Sequence, residues 1–397
     1  MRRPRLLVLA FSPLASDARV LRQVGLLAQD FDVTTLGYGP RPAGVVEHLR
    51  LPDDIVAWRT NRALLVARRW QAAYDRAPVV AAARRLLTPG RWDAVLANDV
   101  QTVPLAMTLG ARGVHVDLHE YATRQNEDSW RWRRFVAPFH AWILRTWVTR
   151  AASVSAVGEA LAFAYRNEFG LDPRVVPNAA PYADRAPEPV ANPLRLVHSG
   201  LARRSRSLEV MLDAVRLTRR PVTLDLYLMP NDPAYLAELR TASADLPQVR
   251  WRDPVAPSQL NARLAQADVG LFVLPPVTFN YRYTLPNKLF DFVQARLAVV
   301  VGPSPEMARL VHRHGCGVVL PDFEAASLAA TLEGLSDEQV LRYKQASHAA
   351  AEPLSAEQQI TGWRDDLEAI VKGRPRARTR RRGALDGASQ LADHPRR

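Results

Sequence analysis

The sequence predicts an α/β protein built from two doubly wound, Rossmann-like domains that face each other across a cleft, and three observations carry this. Apolar runs alternate with amphipathic stretches along the chain, the pattern of parallel sheets covered by helices on both faces. A length of 397 residues with 48% hydrophobic content exceeds one ordinary domain and can supply two cores. Between the halves, NAAPYADRAPEPVANP is rich in Pro, Ala and Asn and has no periodicity, after which the alternation restarts.

In the first half, residues 6–11, 32–36, 94–97 and 114–118 read as strands. A helix over 17–29 follows from Val20, Leu21, Val24, Leu27 and Ala28, which keep helical spacing. Residues 129–150 place Trp132, Phe135, Phe139, Trp142, Ile143 and Trp147 at helical spacing among many arginines, with a break near Pro138. Such a helix either packs on the sheet, the favoured reading, or lies on an anionic membrane with its tryptophans at the interface. In the second half, strands are expected over 194–198, 224–228, 269–274 and 299–301, with helices over 205–217, 258–265 (capped by Ser258) and 287–295. A last helix carries the stripe Ile360, Trp363, Leu367 and Ile370. The expected division is a domain over 1–180, a linker over 181–193, a second domain over 194–354, a helix over 355–373, and a basic tail over 374–397 with the composition of a disordered segment.

Composition narrows the class further. Cys316 is alone, so no intramolecular disulfide is available, and a buried inert thiol in a reducing cytoplasm is expected. No run approaches the length of a membrane span, and MRRPRLLVLAFSP, cut by Pro13, reads as a first strand rather than a signal peptide. The net charge of +13 invites a nucleic-acid reading, but from Lys372 to Arg397 nine Lys or Arg stand against two Asp, a net +7. More than half of the excess thus lies in the tail, which could touch anionic lipid or nucleic acid without specificity and reads first as a solubilising appendage.

Ligands of open parallel sheets bind beyond the carboxyl ends of strands, so the residues there come first. In the segment LPNKLFDFVQARLAVVV a loop carrying Lys288, with Pro286 and Asn287 offering a helix start, opens a helix that carries Asp291 one turn on, facing the same way, and runs into a buried strand. Free N–H groups and Lys288 suit a diphosphate, and Asp291 can accept from ribose hydroxyls. The same pattern fits an amphipathic helix with Leu289, Phe292 and Val293 inward, so both readings stand on local pattern alone. After strand 194–198 come Gly200 and the cluster Arg203, Arg204 and Arg206, suited to phosphate at a helix start or to a solvated basic turn. In the first half, VDLHE brings Asp117, His119 and Glu120 to a strand end, where His119 can bond a sugar or acceptor hydroxyl. Asp99 and Asp17 follow strands and are acceptor-side candidates with Glu120, although Asp17 also fits a helix N-cap. No paired His-Glu spacing or cysteine cluster specifies a metal.

These motifs together resemble the group 1 glycosyltransferases, a family with the GT-B fold. SDARVLRQVGLLAQDFDVTTLGY, WDAVLANDVQTVPLA, VDLHE, SVSAVGEALAFAY, VVPNAAPY, LVHSGLARRSRSLEVMLDAV, LPNKLFDFVQARLAVVV and PEMARLVHRHGCGVVL follow the family's order over residues 5–370. The resemblance implies that Arg206 and Lys288 stabilise the departing diphosphate and that Asp291 holds the ribose. It assigns Gly200, Asn287, Tyr283 and the loop at Val255 to the donor pocket, gives Asp268 a structural role, and makes His119 the histidine near the transferred sugar. It also implies a final helix crossing back to the first domain, retention of configuration, and no cofactor or metal, the donor being a nucleoside-diphosphate sugar. Two departures stand out: Tyr283 takes the place of a usual Glu, and Arg296 and Ala298 replace a usual Gly and Pro.

The expected function is transfer of a hexose or related sugar to an acceptor hydroxyl in glycan or glycolipid synthesis. The acceptor would be a saccharide, lipid-linked or small-molecule hydroxyl, reached in the cytoplasm or at the inner face of the membrane as a peripheral contact, with no specific nucleic acid. A nucleotide-sugar epimerase of the same fold, a non-catalytic nucleotide-binding scaffold and a nucleic-acid binder are the alternatives.

Overall fold

A computed structural model describes residues 2–57 and 59–374, so the basic tail lies almost wholly outside the described residues. Two sheets form, and their recorded pairings are all parallel. The first contains β1 (Arg5–Pro13), β2 (Asp32–Tyr38), β3 (Glu47–Arg50), β4 (Ala94–Asn98), β5 (Val114–Leu118), β6 (Ser153–Ala156) and β7 (Arg174–Val175), in the order β3-β2-β1-β4-β5-β6-β7. The second contains β8 (Leu194–Leu201), β9 (Val222–Met229), β10 (Val249–Arg252), β11 (Val269–Phe272), β12 (Ala298–Val301) and β13 (Gly317–Val319), in the order β10-β9-β8-β11-β12-β13. Strand order reverses between β1 and β4 and again between β8 and β11, and each reversal opens a crevice at the strand ends.

Central strands are apolar throughout because helices cover both faces: Leu6, Leu7, Val8 and Leu9 of β1 are all fully buried. Gly270 in β11 has a local reason, since a Cβ there would run into the ring of Phe292. The helix bearing Phe292 therefore lies directly on the sheet. The helices that matter below are α1 (Ala18–Leu27), α2 (Ala137–Thr146), α3 (Glu209–Leu217), α4 (Phe279–Arg282), α5 (Asn287–Gln294) and α6 (Thr361–Val371).

Several expectations need correction. Gly200 lies within β8, and Lys288 is inside the first helical turn rather than in a loop. The expected helix over 205–217 is a short 3-10 turn, Arg204–Arg206, followed by α3. The WRDPV stretch begins as strand β10, because Trp251 and Arg252 pair with Leu226 and Tyr227 of β9. Residues 129–150 form a π-helical turn, Trp132–Val136, before α2, whose first turn accepts Pro138. Phe139 and Ile143 are buried in the first core, whereas Trp130 just ahead of the turn is 60% exposed.

The final helix α6 returns to the first sheet. Its Leu367 and Ile370 pack with Leu6, Val8, Ala94 and Leu96, and the Val371 carbonyl accepts from Arg112 at 2.6 Å. Arg296 explains one departure from the family pattern. It sits fully buried at a positive φ of 61°, and its guanidinium donates to the carbonyls of Gln294 at 2.8 Å and Ala183 at 2.6 Å. The position keeps the left-handed turn a glycine would favour and uses the side chain to brace the linker. Asp268 is structural, binding Lys344 at 2.9 Å and Arg195 at 3.0 Å in the interior. Burial pushes the Cys316 thiol up to about 11, which makes it inert.

The domains touch at the mouth of the cleft. Asn280 of α4 accepts from the Tyr121 N–H at 2.7 Å, and the Phe279 ring lies 4.9 Å from that of Tyr121. Glu127 takes the Phe279 N–H, and Glu306 accepts from Ala160 N–H at 2.7 Å, capping a helix of the opposite domain.

Candidate active site

One wall of the cleft is built on the ends of β8 and β11. The turn after β8 carries Arg206, whose Nε is buried without a protein partner. Burial lowers its pKa, partly offset by Tyr281. A Cβ placed on Gly200 would sit 3.4 Å from Arg206 Nη1 and 3.1 Å from His198 Nε2, so the absent side chain lets both close in on the end of β8. Here α5 contributes Lys288, 4.0 Å from Asp291. Burial depresses the lysine and lifts the aspartate, and their attraction opposes both shifts. The pair is loose enough for each to take a ligand partner. The start of α5, at Asn287 after Pro286, has no side-chain cap, leaving its first N–H groups available.

Arg203 and Arg204 do not join this cluster equally. Arg204 pairs with Glu238 on the surface at 2.7 Å, while Arg203 faces Glu120 across the cleft. Val255 lies half-buried in the loop after β10. Tyr283 packs its ring 4.7 Å from Phe279, against the first domain, whereas Tyr281 is the phenol beside Arg206, with its hydroxyl 3.1 Å from Ser205.

The opposite wall centres on His119. Its Nε2 lies 3.2 Å from Asp117 and 3.1 Å from the Asn98 side-chain oxygen, and its Nδ1 lies 3.4 Å from Asp99. Burial alone would lower the pKa, but Asp99 and Asp117 raise it to about 9. The ring is therefore an imidazolium near neutrality, with both nitrogens donating inward. Asp117 is fully buried, and Arg19 grips it at 2.6 and 2.7 Å. Burial would raise this carboxyl, yet Arg19 holds it well below the usual range. Ser155 donates to Asp117 at 2.5 Å, and Trp363 of α6 lies 3.3 Å from that hydroxyl, so the returning helix reaches the histidine's support.

Asp99 occupies a positive φ of 61° with its N–H on the Asp117 carbonyl at 2.9 Å. Its side chain, 44% exposed, is the carboxylate offered to the cleft. Burial of its base raises its pKa, and His119 opposes that. Glu120 stands at the rim, its carbonyl accepting from Tyr165 at 2.7 Å. Asp17 is an N-cap that takes the N–H groups of Arg19 and Val20 at 3.2 and 3.1 Å and the Ser12 hydroxyl at 2.7 Å.

Three site residues escaped the sequence reading. Arg19 and Arg22 lie on the α1 face turned inward, where sequence shows only two arginines on an amphipathic helix. Arg22 faces Lys288 and Asp291 from the other domain, and burial, then Arg19, lowers its pKa to about 10. His198 stands within the apolar strand β8, in the LVHSG stretch, where its type alone gave no signal of a role. Among the described residues no group of His, Cys, Asp or Glu is arranged to hold a metal ion, and no helix is long and apolar enough to cross a membrane.

Residues 193–338 match the family described as Glycosyl transferases group 1. No curated protein matches the sequence. Among solved structures, HepE from Anabaena, in complex with UDP and glucose, is 14% identical with a TM-score of 0.65, covering 92% of this chain and 100% of that one. WaaG, a glycosyltransferase involved in lipopolysaccharide biosynthesis, is 13% identical with a TM-score of 0.63, covering 91% and 99%. Sucrose-phosphate synthase from Thermosynechococcus elongatus is 13% identical with a TM-score of 0.67, covering 92% and 100%. The second domain thus carries the match to the group 1 glycosyltransferases, and the two facing sheets have the GT-B fold of these solved structures.

Proposed function

We propose that this protein transfers a hexose or related sugar, with retention of configuration, from a nucleoside-diphosphate sugar to an acceptor hydroxyl. The observation that supports it most is the convergence of Arg206, Lys288 and Asp291 beyond the end of β8, with Arg206 Nε buried and without a protein partner. Residues 194–354 would hold the donor, with Arg206 and Lys288 carrying the diphosphate charge without a metal, Asp291 the ribose, and Asn287, the Val255 loop and Tyr281, which stands beside Arg206 where Tyr283 does not, the rest of the pocket. Residues 1–180 would hold the acceptor. Both ring nitrogens of His119 already have acceptors, so its role becomes that of a fixed cation beneath Asp99, holding that carboxylate toward the sugar and acceptor. The departing phosphate takes the acceptor's proton on the same face, and closure excludes water.

The acceptor class remains saccharide, lipid-linked or small-molecule hydroxyl. The exposed Trp130, with Arg131 over its ring at 5.6 Å, supports a peripheral contact at the inner face of the membrane. The test is a thermal-shift panel of nucleoside diphosphates and their sugars, followed by product analysis with the best donor. Stabilisation and a new glycoside are expected. An epimerised nucleotide sugar would make the protein an epimerase, and binding without any product would make it a scaffold.

A further inference from the structure

His198 is a histidine in the wall of the donor pocket whose second nitrogen has nothing to bind. β8 sends residues 198 and 200 to one face, and the imidazole is 2% exposed, stacked on Phe272 at 5.8 Å. Its Nδ1 lies 2.8 Å from the Leu271 carbonyl. A carbonyl only accepts, so Nδ1 carries a hydrogen and a neutral ring is left with a bare lone pair on Nε2. That Nε2 is buried without a protein partner, as is Nε of Arg206. The position of a Cβ on Gly200, 3.1 Å from Nε2 and 3.4 Å from Arg206 Nη1, shows that both crowd the same point beside Gly200.

The charged groups facing the ring are Arg206 from the turn after β8 and Lys288 from α5, while β11 contributes the Leu271 carbonyl and the Phe272 ring. Burial, then the two cations, pushes the free ring down to about 4 despite the help of the Leu271 carbonyl. A diphosphate reverses each influence. It neutralises Arg206 and Lys288 and brings oxygens that a lone pair would repel and an N–H would bind.

We propose that His198 is a proton-accepting part of the donor pocket: when a nucleoside diphosphate group binds beside Gly200 and Arg206, Nε2 takes a proton from solvent and donates it in a hydrogen bond to a phosphate oxygen. This rests on the donor-site reading given above. One proton enters with the ligand, and no bond of the nucleotide changes. Binding then tightens as pH falls, because the bound form holds the extra proton, with a limiting slope of about tenfold in affinity per pH unit.

Ring NMR of the histidines tests it, with the His198→Gln spectrum identifying the resonance and UDP, GDP and ADP added in turn. In the free protein Nε2 should stay unprotonated down to pH 5. With a nucleotide bound, the ring should carry hydrogens on both nitrogens and titrate at least one pH unit higher. Calorimetry between pH 8 and 5.5 should show wild-type affinity rising more steeply than that of His198→Gln, a comparison that removes the titration of the nucleotide and of Asp291. A nucleotide that binds, loses affinity in Arg206→Ala, and leaves Nε2 unprotonated throughout overturns the proposal and leaves the donor site standing. Absence of binding by all three nucleotides overturns both.

Discussion

Lys288 and Arg206 keep their charge where burial opposes it, and only an anion repays that cost. Replacing either with Ala should weaken nucleoside diphosphate binding by about 10- to 100-fold, the ~1.5–3 kcal/mol of one charge-assisted hydrogen bond, with the melting midpoint little changed. Calorimetry checks this, and unchanged affinity in both variants would remove the phosphate assignment. Asp291→Asn should cost ribonucleotides more affinity than inorganic pyrophosphate, since an amide is the poorer acceptor for two ribose hydroxyls. Equal losses would make Asp291 a partner of Lys288 and no more. His119 links pH to stability: its folded pKa of about 9 lies above the ordinary 6.5, so its contribution is full below 6.5 and lost as pH rises through 9. Shifted that far, the ring contributes about 3 kcal/mol, and urea unfolding between pH 6.5 and 9.5 should show wild type losing stability over that window while His119→Gln does not. Sequence made His119, Asp99 and Lys288 legible because each ends or follows an apolar run. It could not show His119 turned inward, since Asp99 and Asp117 are brought to it by two different strands.

At the scale of elements, the central strands were legible because double burial makes them continuously apolar, and α1 and α5 because one face is. The edge strands β3 (EHLR) and β10 (VRWR) carry charge at half of their positions, as water-facing edges do, and pattern reading passes them over. Arg296 shows the same gap at a helix end. A glycine there would relieve ~1–2 kcal/mol of left-handed backbone strain. It would also strip buried carbonyls, Ala183 and Gln294 among them, of their donors, at ~1–3 kcal/mol each. The second effect wins, so Arg296→Gly should lower unfolding stability by about 1–3 kcal/mol in urea. A stabilised variant would show that the side chain is tolerated rather than needed.

At the scale of the molecule, the two walls meet through few contacts, and α4 supplies most of them. Asn280 both accepts from the Tyr121 N–H and donates to its carbonyl at 3.3 Å. Asn280→Ala should leave nucleotide affinity within about threefold, because the donor wall is complete without it, and lower transfer by about tenfold or more, because closure is held less well. Parallel losses in affinity and turnover would instead put α4 inside the nucleotide pocket. The facing of two sheets was legible from the restart of the strand-helix alternation after the linker, whereas the bridging turn was hidden in a short polar stretch.

The return of α6 to the first sheet sets an order of events during synthesis. Domains emerging from the ribosome ordinarily fold as they appear. Here α1 supplies Val20, Val24 and Leu27 early, but the cluster with Leu6, Val8, Ala94 and Leu96 is completed only by Leu367 and Ile370, so this face of the earliest strands is finished only after the second domain has been made. The amino-terminal half is born with an open apolar seam, and the second half must fold or be held apart while that seam is exposed. Each half is thus finished by the same late segment, and a cut in the linker yields one domain with its lid and one without.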